Sequence, residues 1–195
     1  MYQFFIKRVL DIVLSILILP VLIVLMIPTA IFIKLEDRGT IFYNGKRLGK
    51  NMEQFSMYKF RSMKENAKDI RNIDGSTFNS SNDSRVTNIG RIIRKTSIDE
   101  LPQIFNVLKG EMSFVGPRPS PLGNESRYTD EFKKKFSVKP GITGYNQAVL
   151  RNKSTMEQRM NNDIYYTENI SFILDVKIIY LTIVSVITRK NINHD

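Results

Sequence analysis

A mainly helical α+β chain, docked to a membrane through an N-terminal re-entrant helix kinked by proline, is the fold class the sequence predicts. Three observations predict it. Residues 12–33 carry no charge, and only Ser15 and Thr29 among them are polar. Apolar residues recur at helical spacing after Asp99-Glu100, and an apolar run returns over 172–187. Only one small group of β-prone stretches is present, between residues 41 and 60.

The 12–33 segment has 22 positions, enough to cross a bilayer at about 1.5 Å per residue. Lys7 and Arg8 precede it while Lys34 and Arg38 follow it, so neither end is distinctly the positive, cytoplasmic one. A segment that enters and leaves by one face satisfies both flanks. Pro20 and Pro28 each lack an N–H and clash with the preceding turn, freeing the carbonyls of Ile16 and Val24 and favouring a helix–break–helix. The alternatives are a straight spanning anchor and a cleaved signal peptide. The apolar run is longer than a usual signal core, and Asp11 interrupts its approach.

Next, Ile41-Phe42-Tyr43 and Phe55-Ser56-Met57-Tyr58-Lys59-Phe60 read as a small hairpin, with turn signals at Asn44-Gly45 and Gly49-Lys50-Asn51. The polar stretch 66–88, with Asp74-Gly75-Ser76 and Ser80-Ser81-Asn82-Asp83-Ser84, reads as an exposed loop, either a lid or an idle surface connection. Leu101, Ile104, Phe105 and Leu108 then fall on one helical face, and Gly110 supplies a stop, giving a helix of about ten residues. With Asp99 as N-cap, Pro102 lands in the first turn, where its missing N–H costs nothing. Residues 172–187 complete the chain's helices, packed on the membrane face or on the core.

Composition narrows the chemistry. Twenty-nine Lys and Arg against nineteen Asp and Glu give a net charge of +10, which calls for an anionic partner: nucleic acid, acidic lipid or a phosphorylated substrate. No recognised nucleic-acid motif accompanies that charge, and the apolar N-terminus argues against a nucleic-acid partner. There is no cysteine, and the single histidine is His194, beside the C-terminus. Thiolate and histidine chemistry are therefore disfavoured, leaving carboxylates, Lys, Tyr and hydroxyls.

Asp99-Glu100 is the pair that stands out, and it has two readings. The plain one makes Asp99 a helix cap and Glu100 a complement to the helix dipole. The other notes that a helix start also binds phosphate, and that two acids there repel an anion unless a metal or guanidinium neutralises them. Arg91, Arg94 and Lys95 precede the acids, and Gly116-Pro117-Arg118-Pro119 mounts an arginine between two residues of fixed φ. Adjacent helical residues project about 100° apart, so the two acids cannot flank a sugar as a glycosidase pair does. One can attack while the other holds Mg²⁺.

Several segments, in order, resemble the monotopic phosphoglycosyltransferases, bacterial sugar transferases that begin glycan assembly on a polyprenyl-phosphate carrier. They are Lys7-Arg8-Val9-Leu10-Asp11, Tyr58-Lys59-Phe60-Arg61-Ser62-Met63, Ser97-Ile98-Asp99-Glu100-Leu101-Pro102-Gln103, Asn106-Val107-Leu108-Lys109-Gly110-Glu111-Met112-Ser113-Phe114-Val115-Gly116-Pro117-Arg118-Pro119, Lys139-Pro140-Gly141-Ile142-Thr143-Gly144, and Asp163-Ile164-Tyr165-Tyr166 with Asn169 to Asp175. The ordered set from Asp99 to Pro119 is the most specific part. The chain resembles the smallest form of the family.

The resemblance implies a mainly helical domain with a small β element, residues 36–195 forming a cytoplasmic catalytic domain and residues 1–35 a re-entrant membrane helix. It implies a ping-pong reaction in which Asp99 attacks the β-phosphorus of a UDP-sugar, UMP leaves, and polyprenyl (undecaprenyl) phosphate takes the phosphosugar from the aspartyl intermediate. Glu100 matches the position associated with Mg²⁺. Arg118, Arg94, Lys59 and Arg61 are the substrate-binding candidates, and Lys7, Arg8 and Pro20 the membrane and lipid-phosphate candidates. The location implied is the bacterial inner membrane, with membrane lipid as a partner and a homo-oligomer left open. Two departures stand out: Leu19-Pro20 replaces the usual Ser-Pro break, and Tyr145-Asn146-Gln147 replaces Trp-x-Gln. The rival reading is a non-enzymatic basic membrane adaptor in which Asp99 is only a cap.

Overall fold

The computed structural model describes residues 1–70, 72, 78, 80, 82–150 and 154–188. Tyr2–Ile6 forms a π-helical turn that leads into helix α1, Lys7–Asp37. Together, Tyr2–Asp37 is long and apolar enough to cross a membrane. Helical conformation continues through Pro20 and Pro28, so the expected break is not an interruption of the helix. Proline's fixed φ suits a helix; what it costs is one hydrogen bond and a clash, which a helix can absorb by bending. Ser15 Oγ is buried without a hydrogen-bond partner, so it does not answer the carbonyl freed by Pro20. Arg38 ends α1 in the left-handed region, at φ 59°.

One stripe of α1 faces inward, through Asp11, Ser15, Met26, Thr29 and Ile33, while Leu17, Val21 and Val24 are exposed. Both ends of the helix are held by the same domain. Near its start, Lys7 Nζ pairs with Asp175 at 2.5 Å, Arg8 donates to the carbonyls of Val107 and Leu108 at 2.6 and 2.8 Å, and Asp11 accepts from Ser113 Oγ at 3.0 Å. Near its finish, Asp37 takes the Arg61 guanidinium at 2.5 and 2.6 Å, and Glu36 accepts the N–H groups of Asn88 and Ile89.

Strands β1 (Phe42–Leu48) and β2 (Gln54–Phe60) pair antiparallel, Phe42 opposite Phe60 and Leu48 opposite Gln54. Asn44-Gly45 therefore lies inside a strand rather than at a turn. The turn falls at Gly49 and the 3₁₀ segment Lys50–Met52, where Asn51 and Met52 take positive φ. Helix α2 (Asn88–Lys95) is capped by Thr87, whose side chain accepts the Gly90 N–H. Asp74-Gly75-Ser76 and Ser81 of the expected exposed loop lie outside the described residues, as does His194.

Helix α3 (Gln103–Lys109), strand β3 (Ser113–Val115), strand β4 (Ser120–Pro121), helix α4 (Asp130–Lys133) and strand β5 (Gly141–Thr143) follow. Strand β4 joins the hairpin to give the order β2-β1-β4, and β3 pairs in parallel with β5. Helices α5 (Tyr145–Val149), α6 (Met156–Glu168) and α7 (Phe172–Ile187) close the described chain. Among the described residues the protein is mainly helical with little β structure, as expected, but the strands form two small sheets, and β3, β4 and β5 lie outside the 41–60 stretch. Helix α7 packs on the core, where Ile178 is fully buried beside Val115, Ala148 and Tyr166, and leaves Ile173, Val176 and Tyr180 exposed on its other face.

The β3–β5 crossing is tight enough to demand glycine. A Cβ on Gly141 would sit 2.1 Å from the Gly116 nitrogen, and one on Gly116 would sit 2.5 Å from the Lys139 carbonyl. Because both neighbours are backbone, they cannot rotate away. Gly141→Ala is expected to cost about 1–3 kcal/mol, as overpacking does, read as a lower midpoint in chemical denaturation. It should also weaken activity by shifting the segment that carries Arg118.

Candidate active site

The acids sit in a short 3₁₀ turn, Ile98–Glu100, which follows Ser97 at φ 59° and precedes α3. The left-handed Ser97 turns the chain sharply, so α3 begins only at Gln103, with Pro102 at its N-cap and no side-chain cap bond. Asp99 is therefore not the cap expected for this helix. Helix α3 is seven residues rather than ten, and it ends at Gly110, φ 86°, as expected. Its inward face is Gln103, Ile104, Asn106 and Val107, with Phe105 turned outward. Placing Asn106 on the buried face overrides the simple apolar pattern, because its side chain is fully engaged. It accepts the Tyr58 N–H at 2.9 Å and donates to the Ser56 carbonyl at 2.8 Å and to Glu111 at 2.7 Å. These bonds tie α3 to β2.

That tie brings Lys59 of β2 to the acids. Lys59 Nζ lies 2.5 Å from Glu100 Oε1 and 3.9 Å from Asp99 Oδ2. Arg118 Nη2 reaches the same Glu100 oxygen at 3.2 Å. The Arg118 backbone is in turn held from beneath: Lys135 Nζ donates to its carbonyl at 3.0 Å and pairs with Asp163 at 2.7 Å. That supporting pair is almost wholly buried, with side chains 5% and 1% exposed, whereas the Arg118 side chain is 47% exposed.

Environment separates the two carboxylates. Burial pushes Asp99 up to about 6, with Lys59 opposing and the Glu100 charge adding to the rise. For Glu100 the same burial is outweighed by Lys59 and Arg118, which hold it at about 2. Asp99 is thus mostly ionised at neutral pH yet more basic than an ordinary aspartate, and Glu100 is a permanent anion. This division of two acids by their surroundings is how one site assigns distinct roles.

The other candidates are distributed more widely. Arg94 donates to Ser62 Oγ at 2.8 Å and its charge reaches Asp99 without forming a close pair. Arg61 is buried against Asp37 and the Thr40 carbonyl, at the end of α1. Lys7 and Arg8 are tied to Asp175 and to the last carbonyls of α3, and Pro20 is exposed midway along α1. Sequence reasoning missed Lys135 and Asp163 as supports of Arg118. Lys135 belongs to the run Lys133-Lys134-Lys135, in which nothing local marks the member that turns inward. Gln147, in the segment that departs from the Trp-x-Gln pattern, has both side-chain amide atoms buried without a hydrogen-bond partner. Arg151 and Asn152, just beyond it, lie outside the described residues.

The family model for bacterial sugar transferases matches residues 2–189. The chain belongs to this family. Among similar proteins, the UDP-N-acetylgalactosamine-undecaprenyl-phosphate N-acetylgalactosaminephosphotransferase of Aeromonas hydrophila is 39% identical over 94% of this chain and 44% of its own length. The uncharacterized sugar transferase EpsL of Bacillus subtilis is 38% identical over 95% of this chain and 89% of its own. The undecaprenyl-phosphate galactose phosphotransferase of Salmonella typhimurium is 40% identical over 95% of this chain and 41% of its own. The chain thus spans under half of two of these sugar transferases and most of the third. The match of residues 2–189 takes in both α1 and the Asp99-Glu100 turn.

Proposed function

We propose that this sugar transferase moves a sugar 1-phosphate from a UDP-sugar to polyprenyl phosphate, with release of UMP, through a phosphosugar–Asp99 intermediate. The observation that carries the reading is the meeting of a buried, raised-pKa Asp99 with Glu100, Lys59 and Arg118 at one turn. In the first half-reaction an Asp99 carboxylate oxygen attacks the β-phosphorus, and the bond to the departing UMP oxygen breaks. No base is needed, because the attacking group already carries the charge. In the second, a lipid-phosphate oxygen attacks the acyl phosphate, and Asp99 leaves as a carboxylate. Lys59 and Arg118 turn toward the donor's diphosphate in the first step and toward the acyl phosphate in the second, neutralising phosphate oxygens in both.

Magnesium fits the donor chemistry. Glu100 offers carboxylate oxygen, and among the described residues no three acids or histidines gather to cage a metal. That suits an ion that keeps waters and shares substrate phosphate rather than being enclosed by protein. Glu100 would hold it, and the ion would supply charge neutralisation of the diphosphate. The contacts at both ends of α1 support a re-entrant segment whose two flanks lie on the cytoplasmic side with the catalytic domain.

A panel of UDP-sugars with Mg²⁺ and polyprenyl phosphate tests the reaction. UMP release is expected, and UDP release would contradict it, since the sugar would then have moved without its phosphate. The acid side of the rate profile gives a second check. Because only ionised Asp99 attacks, kcat/KM should fall about tenfold per pH unit below about 6. Lys59 lowers the Asp99 pKa, so Lys59→Met should move this limb to higher pH, whereas a limb left in place would remove Lys59 from the site.

A further inference from the structure

At the far end of α3 from the acids lies a second cationic feature that the reaction above does not use. A cavity of about 120 Å³ opens between the first turns of α1, the β1–β2 turn and the segment before β5. Lys7, Arg8, Lys50 and Lys139 line it, with Asp11 and Ser113. Lys7 and Arg8 already have partners in Asp175 and the α3 carbonyls. Among the described residues, the Lys50 and Lys139 ammonium groups have no hydrogen-bond or ion-pair partner. Burial, with Arg8 and Lys50 alongside, pulls Lys139 below its ordinary pKa, although Asp11 opposes this. A cavity that gathers cations and leaves two unpaired is a cavity for an anion.

Its position says which anion. Gln3 and Phe4 also line the cavity, and Phe4 and Phe5 are 76% and 68% exposed, beside the apolar surface of α1. On the membrane docking proposed above, on which this inference rests, the opening lies at the depth of lipid headgroups. The acceptor phosphate of the transfer reaction does not suit it, since a reacting oxygen must come within about 3–3.5 Å of the phosphorus. The cavity meets α3 at its C-terminal carbonyls, and seven residues of helix span roughly 10 Å.

We infer that this cavity binds the phosphate of an anionic phospholipid headgroup, as a non-reacting site that seats the start of α1 in the membrane. The full chain, reconstituted in nanodiscs of phosphatidylcholine and phosphatidylglycerol, would be extracted gently and its retained lipid measured by mass spectrometry. Wild type should retain phosphatidylglycerol in preference to phosphatidylcholine, and Lys50→Gln/Lys139→Gln should lose that retention about tenfold or more. Lys50→Arg/Lys139→Arg, which keeps the charge, should retain it. An equal loss on Arg91→Gln/Lys95→Gln would mean general surface attraction and overturn the site, as would retention in the Gln pair. Inorganic phosphate retained in place of phospholipid would overturn the lipid assignment. UMP release with a short, water-soluble prenyl phosphate should be unchanged in the Gln pair; a raised KM for that acceptor would make this an acceptor subsite instead.

Discussion

Asp99→Asn is expected to lose UMP release by about 10⁴-fold or more, the scale on which removal of a covalent nucleophile is felt, while its melting profile stays near wild type. Asparagine has the same shape but a neutral amide that cannot form the acyl phosphate. Structural explanations for such a loss are few here. Asp99 caps no helix, since the 3₁₀ turn and α3 start without side-chain cap bonds. Its nearest cation, Lys59 at 3.9 Å, is held more closely by Glu100 at 2.5 Å and keeps that partner in the variant. Moreover, ionised Asp99 is disfavoured by its burial, so a neutral group relieves the folded state rather than straining it. A variant with normal melting and normal rate would return Asp99 to a structural role and leave a non-enzymatic adaptor as the better account.

Asp163→Asn carries the largest expected effect on stability. Lys135 and Asp163 are 5% and 1% exposed, 2.7 Å apart, so removing the carboxylate strands a cation in the interior. Breaking one member of such a pair costs about 3–5 kcal/mol, because the survivor is buried uncompensated. Lys135→Met/Asp163→Leu removes both charges and should recover most of that loss in a denaturation series. It should not recover full activity, because Lys135 Nζ also donates to the Arg118 carbonyl. The expected signature is a double variant with near-normal stability and a raised KM for UDP-sugar. Full activity in that variant would show that the Arg118 segment holds its place without Lys135.

These two residues also mark what could and could not be read from the chain. Asp99, Glu100 and Arg118 were legible because adjacent acids and a proline-flanked arginine are local patterns, and the structure joins Arg118 to Glu100. Gly110 and the bounds of α7 were legible for the same reason, through a left-handed stop and an apolar run. The start of α3 was misread because the positive φ of Ser97, a non-glycine residue, has no local signature. Asn44-Gly45 looked like a turn, yet pairing with β2 keeps it in a strand, since the ladder extends to Leu48 opposite Gln54. Lys7, Arg8 and Arg61 stand out in the sequence as candidates for lipid or substrate, but their contacts within the fold are not legible there. Their observed partners include Asp175, the Val107 and Leu108 carbonyls, and Asp37, which are remote in sequence and chosen by tertiary packing alone.

The central claim is that the phosphosugar passes through the protein itself. Intact-protein mass spectrometry after incubation with UDP-sugar and Mg²⁺, with no lipid acceptor present, tests it most directly. Wild type should gain the mass of one sugar phosphate on Asp99 and release UMP in matching amount, and addition of polyprenyl phosphate should discharge the adduct. An unmodified protein that releases UMP only once the acceptor is present would contradict the account, because transfer would then be direct from donor to lipid.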